Sequence, residues 1–138
     1  MVSTAKRVEY YTTEVPHTAG AGASVLTSFK KQGVNLLAFS GFPDAPRRAQ
    51  LDFIPEDAKA FLAAAAQAKI KLAGPKVAFQ IRGDDRPGIV ADILKKLSDA
   101  RVNVTAIQVD TAGKQRYGAL VWVKQADVSR AAKALGAR

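Results

Sequence analysis

Hydrophobic positions along this chain alternate between two spacings, one typical of strands and one typical of helices. Strand-like stretches are rich in valine, tyrosine and threonine, whereas helical stretches place large apolar residues three and four positions apart. The predicted strands are 6–15, 34–42, 50–54, 76–83, 102–110 and 117–124. The predicted helices are 23–32, 57–69, 89–100 and one that begins after Asp127 and ends near Gly136. Ser24 and Asp57 are predicted to cap the first two helices, and Gly33 to end the first in a left-handed conformation. The order is strand, helix, strand, strand, helix, and it occurs twice.

The two halves of the chain also repeat each other in sequence. Residues 34–39 read VNLLAF and residues 102–107 read VNVTAI, so valine, asparagine and alanine recur at an offset of 68. Each segment follows a predicted helix and a glycine-containing loop at that same offset. A repeat of this length indicates two similar small modules in one polypeptide. We therefore predict a divergent module over 1–73 and a second module over 74–138.

The repeated order predicts an α+β fold of two ferredoxin-like βαββαβ modules, each an antiparallel sheet with its helices on one face. In the first module, Ile70 to Leu72 could form the last strand before Gly74 and Pro75. The second module reaches Arg138 directly after its last helix. Its last strand is therefore expected to be missing or supplied by a partner, either another chain or the first half. An uncovered edge would expose unpaired backbone groups, so strand pairing between copies is expected.

Composition restricts the class of protein further. The chain has 138 residues, of which 48% are hydrophobic and 24% charged, as in ordinary globular domains. No apolar run approaches the roughly 20 residues that span a bilayer, and the N-terminus lacks the apolar core of a signal peptide. We therefore expect a cytoplasmic location without membrane contact. The absence of cysteine excludes disulfides and thiolate metal sites.

The net charge of +9 raises the possibility of a nucleic-acid partner. The basic residues are scattered as short pairs, however, which is typical of solvated helix and turn positions. The RNA-recognition motif shares the predicted element order, but its stacking aromatics are replaced here by Gly118 and Leu120. RNA binding therefore stays an alternative, and a nucleic-acid partner is not expected.

The sequence offers little for catalysis. It has a single histidine, His17, and no nucleophile with a base at recognisable spacing. The adjacent carboxylates Asp84 and Asp85 do not define a two-carboxylate site. No metal cluster, phosphate-binding loop or dinucleotide fingerprint is present. We predict that the protein is not an enzyme and uses no cofactor or metal.

The loop before the third predicted helix has the chemistry of a small-ligand site. Pro87 favours the helical φ and is predicted to lie in the first helical turn, and Gly88 lets the backbone approach a ligand closely. The free N–H groups of Gly88, Ile89 and Val90, which begin the helix, suit a carboxylate because the helix dipole adds to them. Asn103, before the next strand, offers both a donor and an acceptor. Alternatively, Asp84 or Asp85 caps the helix and Asn103 satisfies the backbone.

These residues also carry a family resemblance. The sequence DRPG at 85–88, the apolar spacing of the following helix and the sequence VNV at 102–104 resemble an ACT domain, a small regulatory module of amino-acid metabolism. The resemblance covers 76–138 and implies that the loop and the asparagine hold an effector. It therefore marks seven residues as ligand-binding: Asp84, Asp85, Arg86, Pro87, Gly88, Ile89 and Asn103. Asp85 stands where the family often has asparagine, which leaves the ligand's orientation open.

The first half contains a weaker version of the same site. His17, Gly20 and Asn35 lie at the equivalent positions, but the loop has no proline. His17 could bind a ligand carboxylate or sense pH, since a histidine pKa normally lies near 6.5. It could equally be an exposed loop residue, and this half could serve only as a structural partner.

Together these features predict a non-catalytic regulatory protein. It would bind an amino acid or a related carboxylate at interfaces between modules or subunits. A homodimer or higher homo-oligomer and a regulated protein partner are expected. The alternative is a structural or assembly protein that binds no ligand.

Overall fold

Six strands and four α-helices follow one another in the predicted order within residues 3–138, which the computed structural model describes. The strands are β1 (Thr4–Pro16), β2 (Leu36–Ala45), β3 (Arg48–Pro55), β4 (Ala73–Asp84), β5 (Val104–Thr111) and β6 (Arg116–Val123). The helices are α1 (Ala21–Lys31), α2 (Ala58–Gln67), α3 (Ile89–Asp99) and α4 (Val128–Leu135), the last preceded by a 3-10 turn at Gln125–Asp127. The predicted α+β class with antiparallel strands is confirmed.

The chain forms two compact units that do not follow a single cut in sequence. One consists of Glu9–Lys76 and is called the inserted unit. The other combines Val77–Arg138 with the first residues of the chain up to Val8, and is called the split unit. Strands β1 and β4 therefore each contribute residues to both units. The predicted boundary between residues 73 and 74 assigned the N-terminal residues to the first module, whereas the structure groups those up to Val8 with Val77–Arg138.

The inserted unit is built on the strand order β2-β3-β1. Its core is mainly aromatic: Phe61 of α2 stacks on Phe29 of α1 with ring centroids 4.6 Å apart and lies 5.3 Å from Phe53 of β3. Tyr11 of β1 pairs in register with Phe53 and contacts the same ring of Phe61. Both helices therefore pack on one face of the sheet.

The split unit has the strand order β1-β4-β6-β5 and a largely aliphatic core. Phe79, Leu97 and Val121 are fully buried there, on β4, α3 and β6. The strand beside β4 is the first part of β1, whose backbone is also held by a 3.0 Å hydrogen bond from the Arg7 N–H to the Arg138 carbonyl. The last strand of the second module was predicted to be missing or supplied by a partner. The N-terminal residues of the same chain form this strand.

The last strand of the inserted unit also differs from its predicted position. Ile70 donates its N–H to the Ala65 carbonyl, which continues the end of α2 instead of starting a strand. Strand β4 begins at Ala73, and its first residues, through the cis Gly74–Pro75 bond, belong to the inserted unit. The prediction that 70–72 supplies this strand was wrong.

Local signals at the helix ends give a mixed result. Asp57 caps α2 as predicted, because its carboxylate accepts the Ala60 N–H at 3.1 Å. Gly33 has the predicted left-handed conformation after α1, with φ of 71°. Ser24 is not the cap of α1, since its N–H already donates to the Gly20 carbonyl inside the helix. Gly20 is the N-cap, in a left-handed conformation.

Candidate functional site

A cleft of about 410 Å³ lies beside the loop that the sequence marked as ligand-binding, entirely within the split unit. One wall is the loop and the first turn of α3, and the other is the end of β5. The lining residues are Asp85, Arg86, Gly88, Ile89, Val90, Ala91, Val109, Asp110 and Thr111. The sequence did not predict the wall formed by β5, because the position of this strand beside the loop depends on how the strands pair. The antiparallel pairs Asp84–Arg116 and Thr111–Tyr117 bring the end of β5 to the end of β4.

The loop has a defined backbone shape. Gly88 is the N-cap of α3 with φ of 88° and ψ of 1°, a left-handed conformation that costs a glycine little. Pro87 precedes this cap, so it does not occupy the first helical turn as predicted. The Asp85 N–H donates to the Gln115 carbonyl at 2.8 Å and ties the loop to the β5–β6 turn. The loop is therefore held at both ends.

Backbone donors at the start of α3 are available for a ligand. The Asp92 N–H makes the first intrahelical hydrogen bond, to the Gly88 carbonyl at 3.0 Å. The N–H groups of Val90 and Ala91 have no partner among the described residues, as expected in the first turn of a helix. The Ile89 N–H, one of the predicted ligand donors, turns back to the Arg86 carbonyl at 3.3 Å. Of the predicted donors Gly88, Ile89 and Val90, Ile89 alone has a backbone partner among the described residues, and Ala91 adds a donor that was not predicted.

The charged groups at the cleft divide into paired and accessible ones. Arg86 forms an ion pair with Asp92 on the first turn of α3. Asp84 does not cap the helix and instead accepts a hydrogen bond from the Arg116 guanidinium at 2.7 Å. Asp85 and Asp110 have exposed carboxylates at the cleft wall, and Asp110 Oδ1 also accepts the Thr111 N–H at 2.8 Å. Amide donors and carboxylate acceptors therefore face one cleft, an arrangement that suits a ligand carrying both an acid and an amine.

The structure does not bring Asn103 together with the loop in this unit. Asn103 is exposed and precedes β5, whereas the cleft lies at the far end of that strand, at Thr111. Eight extended residues at about 3.3 Å each separate the two ends by roughly 25 Å. A ligand in this cleft is therefore out of reach of the same unit's Asn103.

The inserted unit repeats the loop geometry at an offset of 68 residues. Gly20 has the same φ of 88° as Gly88, and the His17 N–H donates to the Arg47 carbonyl at 3.0 Å, as Asp85 does to Gln115. The candidate side chains are engaged differently. Asn35 donates through Nδ2 to Glu56 Oε2 at 3.1 Å, and His17 is exposed. The backbone conformation of the loop is therefore repeated, but the Asn35 side chain is bound to Glu56 of its own unit.

A buried carboxylate lies in the inserted unit, away from both loops. Asp52 on β3 is only 6% exposed and accepts a hydrogen bond from Gln50 Nε2 at 2.8 Å. Burial raises the pKa of Asp52, while the Gln50 hydrogen bond and the positive charge of Lys76 oppose the rise. Burial, with a smaller contribution from Asp52, also raises the pKa of the Tyr10 hydroxyl. The folded state therefore binds a proton at Asp52 more readily than the unfolded state does.

We expect Asp52→Asn to stabilise the protein at neutral pH by on the order of 1 kcal/mol, because it removes a buried charge and keeps an oxygen for Gln50. A raised folded-state pKa means that wild-type stability grows as pH falls through that pKa towards the unfolded-state value. The advantage of the variant should therefore shrink on acidification. Urea denaturation at pH 7 and pH 4.5 measures this, with exposed Glu9→Gln as control. An advantage that stays constant with pH would contradict the assignment.

Other classes of site find little support among the described residues. No group of three or more histidine, aspartate or glutamate side chains could hold a metal ion there. In that part of the chain no helix has both the length and the apolarity needed to cross a membrane. On β6 the face opposite the helices carries Gly118, Leu120 and Trp122, and Trp122 is buried. This strand therefore presents no exposed aromatic side chain for stacking RNA bases.

Comparison with known proteins identifies the domain that contains the cleft. Residues 77–138 match the model of the ACT domain, so one ACT domain is found in this chain. No curated protein sequence matches the chain significantly.

Solved structures share the fold over nearly the whole chain. Protein BT0572 from Bacteroides thetaiotaomicron superposes with a TM-score of 0.80 at 16% identity, covering 96% of this chain and 88% of its own. The ligand-free regulatory subunit of aspartate kinase from Thermus thermophilus gives 0.65 at 16% identity, covering 97% and 94%. Aspartate kinase from Synechocystis gives 0.62 at 17% identity, covering 97% of this chain and 25% of its own. At these identities the likeness establishes the fold alone.

Proposed function

We propose that this protein is a non-catalytic regulatory protein that binds an amino acid or a related small carboxylate in the cleft at Asp85–Ala91. The single observation that carries the proposal is this cleft, where unpartnered amides of Val90 and Ala91 lie beside the accessible carboxylates Asp85 and Asp110. The helix dipole and these amides favour the ligand's carboxylate. Its ammonium group would face a carboxylate wall. The cleft is within the residues that match the ACT model.

A regulatory role also agrees with what is known of the fold. Among the proteins that share it, one is described as the regulatory subunit of aspartate kinase. Fold likeness alone does not carry a function, so this agreement is secondary to the cleft. We further propose that the inserted unit is a second, divergent ACT-like module. Its support is the repeated conformation of Gly20 and Gly88 and the repeated loop hydrogen bonds.

The proposal includes association with other subunits, in the cytoplasm. The cleft is lined by one side of the loop and by β5, which is the last strand in the order of the split unit. A second copy placed along this edge would cover the ligand and could bring a donor such as its own Asn103 to it. Ligand binding would then favour one assembly over another and report a metabolite level to a regulated partner protein. This needs different affinities in the two states.

A purely structural role is the second candidate, and one feature favours it. Strand β2 is the last strand in the order of the inserted unit and carries three exposed large apolar residues, Leu37, Phe39 and Phe42. Exposed apolar edge strands are sites of strand pairing. Assembly through β2 requires no ligand. The two candidates differ in whether any small molecule stabilises the protein.

A thermal-shift screen of the twenty amino acids and common carboxylate metabolites tests the proposed function. A ligand at a hundredfold excess over its Kd stabilises the folded state by about 2.7 kcal/mol, a readily measured shift. Silence across the whole panel would favour the assembly role.

We expect Gly88→Leu to abolish the stabilisation by whichever ligand the screen finds, because the added side chain would enter the cleft and displace the backbone from the ligand. Gly20→Leu is the matched control, since Gly20 has the same φ of 88°. A Cβ on Gly20 meets no neighbour within 4 Å, and one on Gly88 meets only the flexible Arg86 side chain, at 4.0 Å. Both variants incur the same left-handed strain. Retained ligand stabilisation in Gly88→Leu, or equal loss in both variants, would refute the assignment to this loop.

A further inference from the structure

The split unit carries most of the chain's positive charge. It contains 13 lysine and arginine residues against six aspartates, a net charge of +7 out of the chain's +9. Four of the six aspartates are in ion pairs with neighbouring cations. The ligand cleft described above, which contains Asp85 and Asp110, does not use this excess. Many of these cations are exposed in helices and turns, and some of them gather elsewhere on this unit.

A second cleft of about 470 Å³ in the same unit gathers part of that charge. It lies where the first residues of β1, strand β4 and the residues after α4 meet. Three cations line it, Lys6, Arg82 and Arg138, and none of them forms an ion pair within the described residues. Among residues 3–138, no aspartate or glutamate side chain lines it. Unneutralised charges that share one concave surface raise the local concentration of anions.

The alternation of side chains along the strands places the Lys6 and Arg82 side chains on one face of the sheet. Ala5 and Ile81 belong to the hydrophobic core, so Lys6 and Arg82, their neighbours in sequence, lie on the opposite face of the adjacent strands β1 and β4. Gln80, two residues before Arg82, is on the same face and lines the same cleft. It is only 8% exposed, and its Oε1 has no hydrogen-bond partner within the described residues. This oxygen is a hydrogen-bond acceptor and is itself buried, so Gln80 could serve an anion only through its Nε2 group, which donates.

Two nearby negative groups oppose anion binding. Gly136, at the C-terminal end of α4, lines the cleft, and a helix C-terminus carries about half a negative charge. The Gly136 and Ala137 N–H groups already donate to carbonyls of the last turn, those of Lys133 and Ala132. The main-chain carboxylate of Arg138 is a second negative group at the cleft, and its oxygen accepts the Arg7 N–H. Three side-chain positive charges outweigh this one carboxylate and the capped helix end.

We propose that this cleft, which we call the cationic cleft (Lys6, Gln80, Arg82 and Arg138), binds a small polyanion. The ligand would carry at least two negative charges, on phosphoryl or carboxylate groups, since three cations converge on it. The volume falls within the range of small-molecule sites. Lys6 belongs to the strand that completes the split unit, so the site exists only when this strand is docked beside β4. It shares no residue with the cleft at Asp85–Ala91 and is independent of the proposed function.

Isothermal titration of the full chain with inorganic pyrophosphate, and separately with citrate, tests the proposal. We expect saturable one-to-one binding of at least one probe. Binding of pyrophosphate alone would identify a phosphoryl ligand, citrate alone a polycarboxylate, and both a site that recognises charge. Absence of binding by both probes at low ionic strength would overturn the proposal.

Charge-removing variants locate the binding. Lys6→Gln and Arg82→Gln should each weaken binding about tenfold, the effect of losing one charge-assisted hydrogen bond. Lys124→Gln is the matched control, because it removes one exposed charge from the same unit outside the cleft. Gly88→Leu should leave polyanion binding unchanged. Equal weakening by Lys124→Gln, or none by Lys6→Gln and Arg82→Gln, would show non-specific attraction and refute the site.

Discussion

Replacing Phe61 by alanine should destabilise the protein by about 3–5 kcal/mol, the largest effect we expect from a single substitution. Phe61 is fully buried on α2 and contacts three other rings, those of Tyr11, Phe29 and Phe53. Truncation removes these contacts and leaves a cavity that rigid neighbouring rings cannot fill. Since whole domains are stable by only about 5–15 kcal/mol, the loss should be evident in urea denaturation followed by circular dichroism.

Leu62→Ala is the control for this substitution. Leu62 is the next residue of the same helix but is 43% exposed, and leucine and alanine have similar helix propensities. We expect a change of less than about 1 kcal/mol. Similar losses in the two variants would mean that the aromatic cluster does not hold the inserted unit together as described.

Gly83→Ala should cost about 1–3 kcal/mol and loosen the N-terminal strand. A Cβ on Gly83 would come within 2.8 Å of the Tyr117 ring and closer still to the hydroxyl of Ser3. Tyr117 is buried and cannot move easily, so Ser3 must retreat and break its 2.5 Å hydrogen bond to the Tyr117 hydroxyl. Hydrogen exchange at the amide of Arg7, which donates to the Arg138 carbonyl, should then accelerate, in addition to the loss of stability seen by denaturation.

Gly118→Ala provides the comparison for Gly83→Ala. Gly118 lies on the neighbouring strand β6, where an added Cβ meets nothing within 4 Å. It should change the free energy of unfolding by less than about 0.5 kcal/mol and leave exchange at Arg7 unaltered. Unchanged exchange in Gly83→Ala as well would show that close packing at Gly83 does not hold the N-terminal strand.

The two glycine experiments also separate the binding sites. Loosening of the N-terminal strand by Gly83→Ala displaces Lys6 and should weaken the cationic cleft. The cleft at Asp85–Ala91 includes no residue of that strand. Loss of polyanion binding with retained amino-acid binding is therefore the expected pattern in this variant.

Much of the fold follows from signals within a few residues of one another. The order of elements is read from apolar spacing, the cap at Asp57 from a carboxylate three residues before an amide, and the turn at Gly33 from a residue that tolerates positive φ. The loop at Asp85–Gly88 was found for the same reason, because proline, glycine and a following helix are neighbours in sequence.

The site was predicted less completely than the fold. Sequence identified the loop wall of the cleft, but the opposite wall at Val109–Thr111 depends on how β4, β6 and β5 pair. The same pairing places Asn103 at the far end of β5. The sequence shows that Asn103 lies at the beginning of β5. Only the pairing of the strands shows that the other end of β5 faces the loop.

By itself, the sequence determined the α+β class, the repeated element order and the amide-rich loop, because each depends on contacts between residues close in the chain. Only the tertiary structure decided that the first residues of β1 complete the split unit, and that Lys6 and Arg82 share a cleft. A strand carries nearly the same backbone hydrogen-bonding groups whatever its partner. The choice among partners tens of residues apart therefore depends on side-chain packing, such as the close approach of Ser3 to Gly83, which no local pattern records.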